Sequence, residues 1–303
     1  MPSDVASDLA NNQPNRPDKL VWVEHSSAVL ATMHQKEQAI APLFEQELQI
    51  QVWVPQDFDT DRFGTFTRDV ARAGSQIEAA RVKANRVLDE TGEKLAIASE
   101  GAFFPHPAFP GVPCNREIVL LLDRANGIEV VGSELSAQTN FAHRTAKSPQ
   151  EAIAFAQQVG FPEHGLVVMP QADYRAGDRI VKGIHDQQTL LDAVERTLAT
   201  SPSGTVHLET DMRAMCNPSR MAVIRAATRN LIETFKRSCP DCACPGFAAV
   251  EHRPGLPCGL CRTPTSLTLA TVYRCQRCGC QKEVLYPNGV EAADPGQCAY
   301  CNP

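Results

Sequence analysis

The feature that most constrains this chain is a spaced cysteine pair that recurs four times in residues 239–303: Cys239/Cys242, Cys258/Cys261, Cys275/Cys278 and Cys298/Cys301. Two thiolates separated by two residues on a tight turn can face one tetrahedral ion, and two such pairs complete a site. Four pairs therefore predict two structural zinc ions, each held by four cysteines. The intervening gaps resemble those of a zinc ribbon, which predicts pairing in sequence order: Cys239, Cys242, Cys258 and Cys261 on one ion, Cys275, Cys278, Cys298 and Cys301 on the other. A crossed arrangement is the alternative. A disulfide framework would use the same cysteines differently. It is disfavoured because the opening MPSDVASDLANNQPNRPDKL is polar and proline-broken, with no apolar segment of the kind a signal peptide carries. No apolar run approaches the ~20 residues of a membrane span. The expected location is cytoplasmic, where thiols stay reduced and paired cysteines read as metal ligands. Cys244 and Cys280, each two residues beyond a pair, read as spare thiols or alternative ligands, and the isolated Cys114 and Cys216 as small buried hydrophobes.

At 303 residues and 43% hydrophobic, the chain can bury one sizeable core plus a small satellite. The cysteine-rich segment is too short and polar to fold on burial alone, so metal binding would stabilise it, at roughly 10–16 kcal/mol of apparent free energy per site. These considerations predict a disordered tail over residues 1–24, a globular domain over 25–236 and a zinc module over 237–303. From Cys239 onward the formal charges cancel: Arg253, Arg262, Arg274, Arg277 and Lys282 against Asp241, Glu251, Glu283, Glu291 and Asp294. Zinc ribbons that bind nucleic acid need a basic footprint. Without one, a structural or protein-docking role is favoured over nucleic-acid binding.

In the globular segment, short apolar runs alternate with amphipathic stretches. Strands are expected at 28–32, 50–54, 95–98, 117–123, 128–132, 166–169, 180–184 and 206–209. Helices are expected at 34–48, 75–90, 148–159, 186–198 and from Asn217 onward, with Pro218 at the first helical position. Asn126-Gly127 between two apolar runs signals a hairpin. The class is α/β, with a mixed sheet and helices on both faces.

No P-loop, dinucleotide fingerprint, nucleophile elbow or His-Glu-x-x-His occurs. Four segments remain as candidates. The strand-to-helix turn Ala31–Glu37 places Lys36 where a phosphate is well received. Asp57-Phe-Asp59-Thr-Asp61-Arg62-Phe-Gly64 alternates aspartates, but Arg62 and Arg68 replace the glycine and glutamate of a calcium loop, leaving a magnesium site or a solvated loop. Ser99-Glu100-Gly101 follows the third strand, where α/β domains place functional acids. Glu209–Arg220 carries Asp211, Arg213, Asn217 and Arg220 into a helix start; these residues either bind an anion or form a local ion pair and a cap. His106, His143, His164 and His207 have no spacing that pairs them and read as ordinary polar residues.

The segments ATMHQKEQAI, DFDTDRFGTFTRD, ASEGAF and ETDMRAMCNPSRM, with the closing cysteine pairs, resemble a family of bacterial proteins described as a domain of unknown function with a C-terminal zinc-binding part. The N-terminal half is also similar to the inosine/xanthosine triphosphate pyrophosphatase fold. The similarity lies in Ala31–Lys36, Glu78-Ala-Ala80-Arg-Val-Lys83-Ala84, Ser99-Glu100-Gly101 and Glu209–Met212 with Ser219-Arg220. His34 stands where that family has asparagine, and Lys36 comes one residue early. The resemblance implies magnesium-dependent cleavage of phosphoanhydrides in nucleotides. Glu100, Glu78 and Asp211 would be the catalytic carboxylates, and Lys36, Lys83, Arg213, Asn217 and Arg220 would bind the ligand. The alternative is a non-catalytic protein that senses an anionic small molecule and docks a protein partner through its zinc module. No membrane association is expected.

Overall fold

A computed structural model describes residues 26–56, 58, 74–172 and 179–303. The expected tail and the aspartate-rich segment Asp57–Gly64 lie outside these residues, Phe58 excepted. The chain divides into two compact units, with His25–Ile232 in one and Glu233–Pro303 in the other.

The first unit holds two sheets. One is mixed, with strand order β2-β1-β3-β4-β5: β1 (Ser27–Ala31), β2 (Gln51–Trp53), β3 (Leu95–Pro105), β4 (Pro113–Asp123) and β5 (Ile128–Ser136). β1 pairs in parallel with both β2 and β3, while β3, β4 and β5 form an antiparallel meander. Helix α1 (Glu37–Leu48) leads from β1 to β2, and α2 (Gln76–Thr91) leads back past β1 to β3. The crossover from β1 to β2 and the one from β2 to β3 run in opposite directions, and right-handed crossovers that do so lie on opposite faces. β1 is therefore the point where the winding of the sheet reverses. α2 covers the face bearing Val29, Ala31, Ala96, Ala98, Ile118 and Leu120. Its start is fixed by a capping box in which Ser75 Oγ accepts from Glu78 N (3.3 Å) and Glu78 Oε2 accepts from Ser75 N (2.6 Å).

On the opposite face lies α5 (Pro218–Lys236). Gly132, on β5, makes that packing possible, because a Cβ there would overlap the Ala227 carbonyl and the Leu231 backbone nitrogen. The mixed sheet with helices on both faces accords with the expectation from sequence, and the Asn126-Gly127 hairpin joins β4 to β5 with Gly127 at φ 64°.

Two features depart from that expectation. The strand that the apolar run placed at 95–98 continues to Pro105, pairing residue by residue with β4. Glu100 is therefore inside a strand and not beyond its end. A second, wholly antiparallel sheet is also present, with order β6-β9-β7-β8, formed by β6 (His143–Ala146), β7 (Leu166–Met169), β8 (Val181–Ile184) and β9 (Val206–Thr210). Its core face is covered by α3 (Pro149–Gln158) and α4 (Gln187–Thr200), which bury Phe155, Leu190 and Val194 against Leu166, Val168, Val206 and Leu208. Ser148 and Asp186 cap these helices through Glu151 N (3.3 Å) and Thr189 N (2.8 Å).

The second unit is built on an antiparallel meander of β10 (Ala248–Pro254), β11 (Thr268–Arg274) and β12 (Gln281–Leu285). Among the described residues no helix is long and apolar enough to cross a membrane. Substituting Gly132→Val should lower unfolding stability by about 1–3 kcal/mol through overpacking against α5. A denaturant melt equal to that of the unaltered protein would show that α5 does not lie this close to the sheet.

Candidate functional site and metal centres

Open α/β sheets bind ligands at the carboxyl ends of their strands where the winding reverses, which here is the end of β1. β1 stops at Ala31, opposite Ala98, so Ser99 to Pro105 run on beyond it. Successive side chains of a strand point to opposite faces, and the site accordingly has two halves. On the α2 face, Glu100 forms an ion pair with Lys83 from α2, and both are buried. Gln76 Nε2 donates to the carbonyl of Glu100 (3.3 Å), in the stretch of β3 that runs on beyond β1, and to that of Arg116 on β4 (3.0 Å).

On the other face, Lys36 at the start of α1 donates from Nζ to Ser99 Oγ (2.9 Å) and to the Ser99 carbonyl (3.3 Å). Beside it Arg220 Nε donates to Glu117 Oε1 at 2.7 Å, both side chains being fully buried. Arg220 also donates to the Met212 carbonyl and lies 5.7 Å from the centre of the Phe103 ring. Gly101 is required here because a Cβ would occupy the space of the Glu117 carboxylate and the Arg220 guanidinium.

These cations do not all meet the same fate. Lys83 and Arg220 have carboxylate partners, whereas Lys36, 7% exposed, finds only the neutral oxygens of Ser99 among the described residues. Burial, followed by the charge of Arg220, pushes the Lys36 ammonium down to about 7, although Glu117 and Glu100 oppose the shift. Burial and then Lys36, with Arg220, Arg213 and Lys83 beyond, lower His34 to about 4, so its ring is neutral at pH 7. A cleft of about 260 Å³ opens beside this turn, lined by Thr32, Met33, Gln35 and Glu37 and by Val54 to Gln56 and Phe58.

The remaining sequence candidates occupy other places. Asp211 and Arg213 form a local ion pair, with Asp211 accepting from Arg213 N (3.0 Å), Arg213 NH2 (2.6 Å) and Gly183 N (3.0 Å). Burial opposes ionisation of Asp211, but the Arg213 hydrogen bonds outweigh it and hold the carboxyl below its usual range. Asn217 caps α5 by accepting from Arg220 N (2.9 Å). Glu78 is not brought to Glu100: its carboxylate is engaged in the capping box, and the Ser75 backbone N–H lowers its pKa. Glu117 is the residue that sequence reasoning missed, and Ser99, though inside a candidate segment, was given no role of its own. The available signal was a carboxylate embedded in the apolar run Glu117–Asp123, where an acid needs a buried partner.

The cysteines form two groups: Cys239, Cys242, Cys275 and Cys278, and Cys258, Cys261, Cys298 and Cys301. Pairing in sequence order is therefore wrong, and the crossed arrangement holds. The reason is the meander. A strand of seven residues such as β10 carries the chain roughly 23 Å, from one end of the sheet to the other. Successive pairs thus alternate between ends, and the first pair meets the third. Four thiolates at about 2.3 Å from a tetrahedral zinc lie about 3.8 Å from one another. The Sγ separations fit that figure: 3.6 Å for Cys239–Cys278 and Cys242–Cys275, 3.8 Å for Cys258–Cys301 and 3.7 Å for Cys261–Cys298. The same turn is built at each pair, with the N–H of Ala243, Arg262, Gly279 and Asn302 donating to the carbonyl of the first cysteine four residues back.

The family model described as Domain of unknown function (DUF6671) matches residues 83–303. The chain belongs to that family. The matched stretch takes in Lys83, Glu100, Glu117, Asp211 to Arg220 and both cysteine groups, and begins after Lys36 and Glu78. No curated protein matches the chain.

Metal analysis of the purified protein should give two ions per chain. Cys239→Ser with Cys275→Ser should leave one, whereas Cys239→Ser with Cys258→Ser should disable both groups. The reverse pattern would restore pairing in sequence order.

Proposed function

We propose that the α/β unit binds a phosphate-bearing small molecule at the carboxyl end of β1, with Lys36 as the residue that meets the anion, and that the zinc module supports or docks rather than reacts. The observation that carries this reading is the buried Lys36 amine without a carboxylate partner, next to two cations that have one. A buried ammonium is costly unless an opposite charge joins it, and an incoming oxyanion supplies that charge.

The resemblance to nucleotide pyrophosphatases suggests nucleotides as probes. A divalent ion in such a reaction would need free carboxylates. Glu100 and Glu117 are each engaged by a cation, so binding without turnover is the favoured outcome over phosphoanhydride hydrolysis. A docking role for the zinc module is supported by Leu260 (72% exposed) and Tyr300 (76% exposed), which sit at the tips of two cysteine turns of the same group.

Calorimetric titration with inorganic phosphate, pyrophosphate and nucleoside triphosphates, with and without magnesium, tests the reading. Binding should weaken roughly 10- to 150-fold in Lys36→Met, the worth of one charge-assisted hydrogen bond of about 1.5–3 kcal/mol. The charges that act on Lys36 are Arg220 from α5 and Glu117 from β4 on its own face and, across the sheet, Glu100 from β3 and Lys83 from α2, with His34 in its own turn. An anion stabilises the charged amine, so affinity should be level below the free-site pKa of about 7 and fall as pH rises above it. Affinity unchanged by Lys36→Met, or no binding to any of these anions, would refute the assignment. Magnesium-dependent release of pyrophosphate that Glu100→Gln abolishes would instead establish the hydrolase.

A further inference from the structure

Away from the end of β1, the loop Gly160–Gly165 is tied to the segment that opens α5: Gly165 N donates to the Cys216 carbonyl (2.8 Å), and Asp211 N donates to the Gly165 carbonyl (2.8 Å). This places the His164 ring at the first turn of α5, with Nε2 at 2.8 Å from Ser219 Oγ. Its Nδ1 lies 3.3 Å from the Gly160 carbonyl. A carbonyl only accepts, so Nδ1 carries the proton of the neutral ring. Nε2 is then the bare nitrogen, and the Ser219 hydroxyl donates to it.

The ring is seated on Gly160, where a Cβ would stand 2.8 Å from Nδ1 and where φ is +84°, so no other residue fits without strain. Ser219 is the second residue of α5. Pro218 has no N–H, and the N–H groups of Arg220 and Met221 both go to Asn217. That leaves the Ser219 N–H, at the positive end of the helix dipole, as the remaining donor of the first turn.

We propose that Ser219 and His164 form a nucleophile–base dyad that takes the acyl group of an activated ester. Oγ would attack the carbonyl carbon while its proton passes to His164 Nε2, and the Ser219 N–H would face the oxygen on which negative charge develops. The leaving alcohol would depart with the proton from Nε2, giving an acyl-serine. Water would then attack the acyl carbon, surrender a proton to Nε2, and release the carboxylic acid as Oγ regains its proton. The nucleophile, a base in hydrogen-bond contact and an orienting acceptor for that base are all present in the positions this chemistry needs. The inference is independent of the anion site.

The full-length protein would be treated at neutral pH with an alkyl fluorophosphonate and, separately, with p-nitrophenyl acetate, and the adducts mapped by peptide mass. A single adduct on Ser219 is expected, absent in Ser219→Ala and formed about 100-fold more slowly in His164→Gln. Acylation of the unaltered protein should also slow in D2O, a readout that does not depend on whether a variant folds. An unmodified Ser219 after exhaustive treatment would overturn the dyad. So would an adduct formed in folded His164→Gln at the unaltered rate, or equal acylation rates in H2O and D2O.

Discussion

The first unit depends on one buried ion pair, Arg220 with Glu117. Neither side chain is exposed, so the pair is formed against a desolvation penalty of several kcal/mol per ion. The guanidinium is met on several sides: by Glu117 on one, the Met212 carbonyl on another, and the Phe103 ring across its face. Removing either partner would leave an uncompensated charge in the interior, at a cost of about 3–5 kcal/mol. The pair joins β4 of the first sheet to the helix that follows the last strand of the second. It thereby fixes where α5 begins, and with it the positions of Asn217 and Ser219.

Around that pair the charges are arranged unevenly. Lys83 and Arg220 are neutralised by acids on neighbouring strands, and Lys36 is not. Among the described residues, the end of β1 therefore gathers three buried cations, Lys36, Lys83 and Arg220, and two buried carboxylates, Glu100 and Glu117. Burial first, and then this excess of neighbouring positive charge, lower the proton affinity of the unpartnered amine and of the neighbouring imidazole together. The same two causes account for both shifts.

Much of this was legible in the sequence, because local signals act locally. The helix starts near residues 75, 148 and 186, the Asn-Gly hairpin, the proline at the first position of α5 and the cysteine turns each depend on a few adjacent residues, and each appears where the pattern placed it. What was hidden depends on partners distant in sequence. Ser99-Glu100-Gly101 looks like a loop until Lys36, Lys83 and Glu117 are seen to satisfy and surround it, which lets polar residues continue a buried strand. β6 is four residues long, three of them exposed, and gives no apolar run. The division into two sheets is set by which strands pair, and alternation of short runs does not encode that. The grouping of the cysteines failed for a similar reason: spacing along the chain says nothing about the strands lying between the turns, two of which, β10 and β12, are charged and largely exposed.

The crossed grouping gives the second unit an unusual connectivity. The span from Cys242 to Cys275 and the span from Cys261 to Cys298 overlap. A single cut in the backbone between residues 261 and 275 falls inside both. With metal bound, the two resulting pieces would still be fastened to each other twice, once through each ion. Had successive pairs shared an ion, the same cut would have parted the module into two independent beads. Loaded with metal, the sheet would thus form a clasp whose integrity is not that of the peptide chain alone.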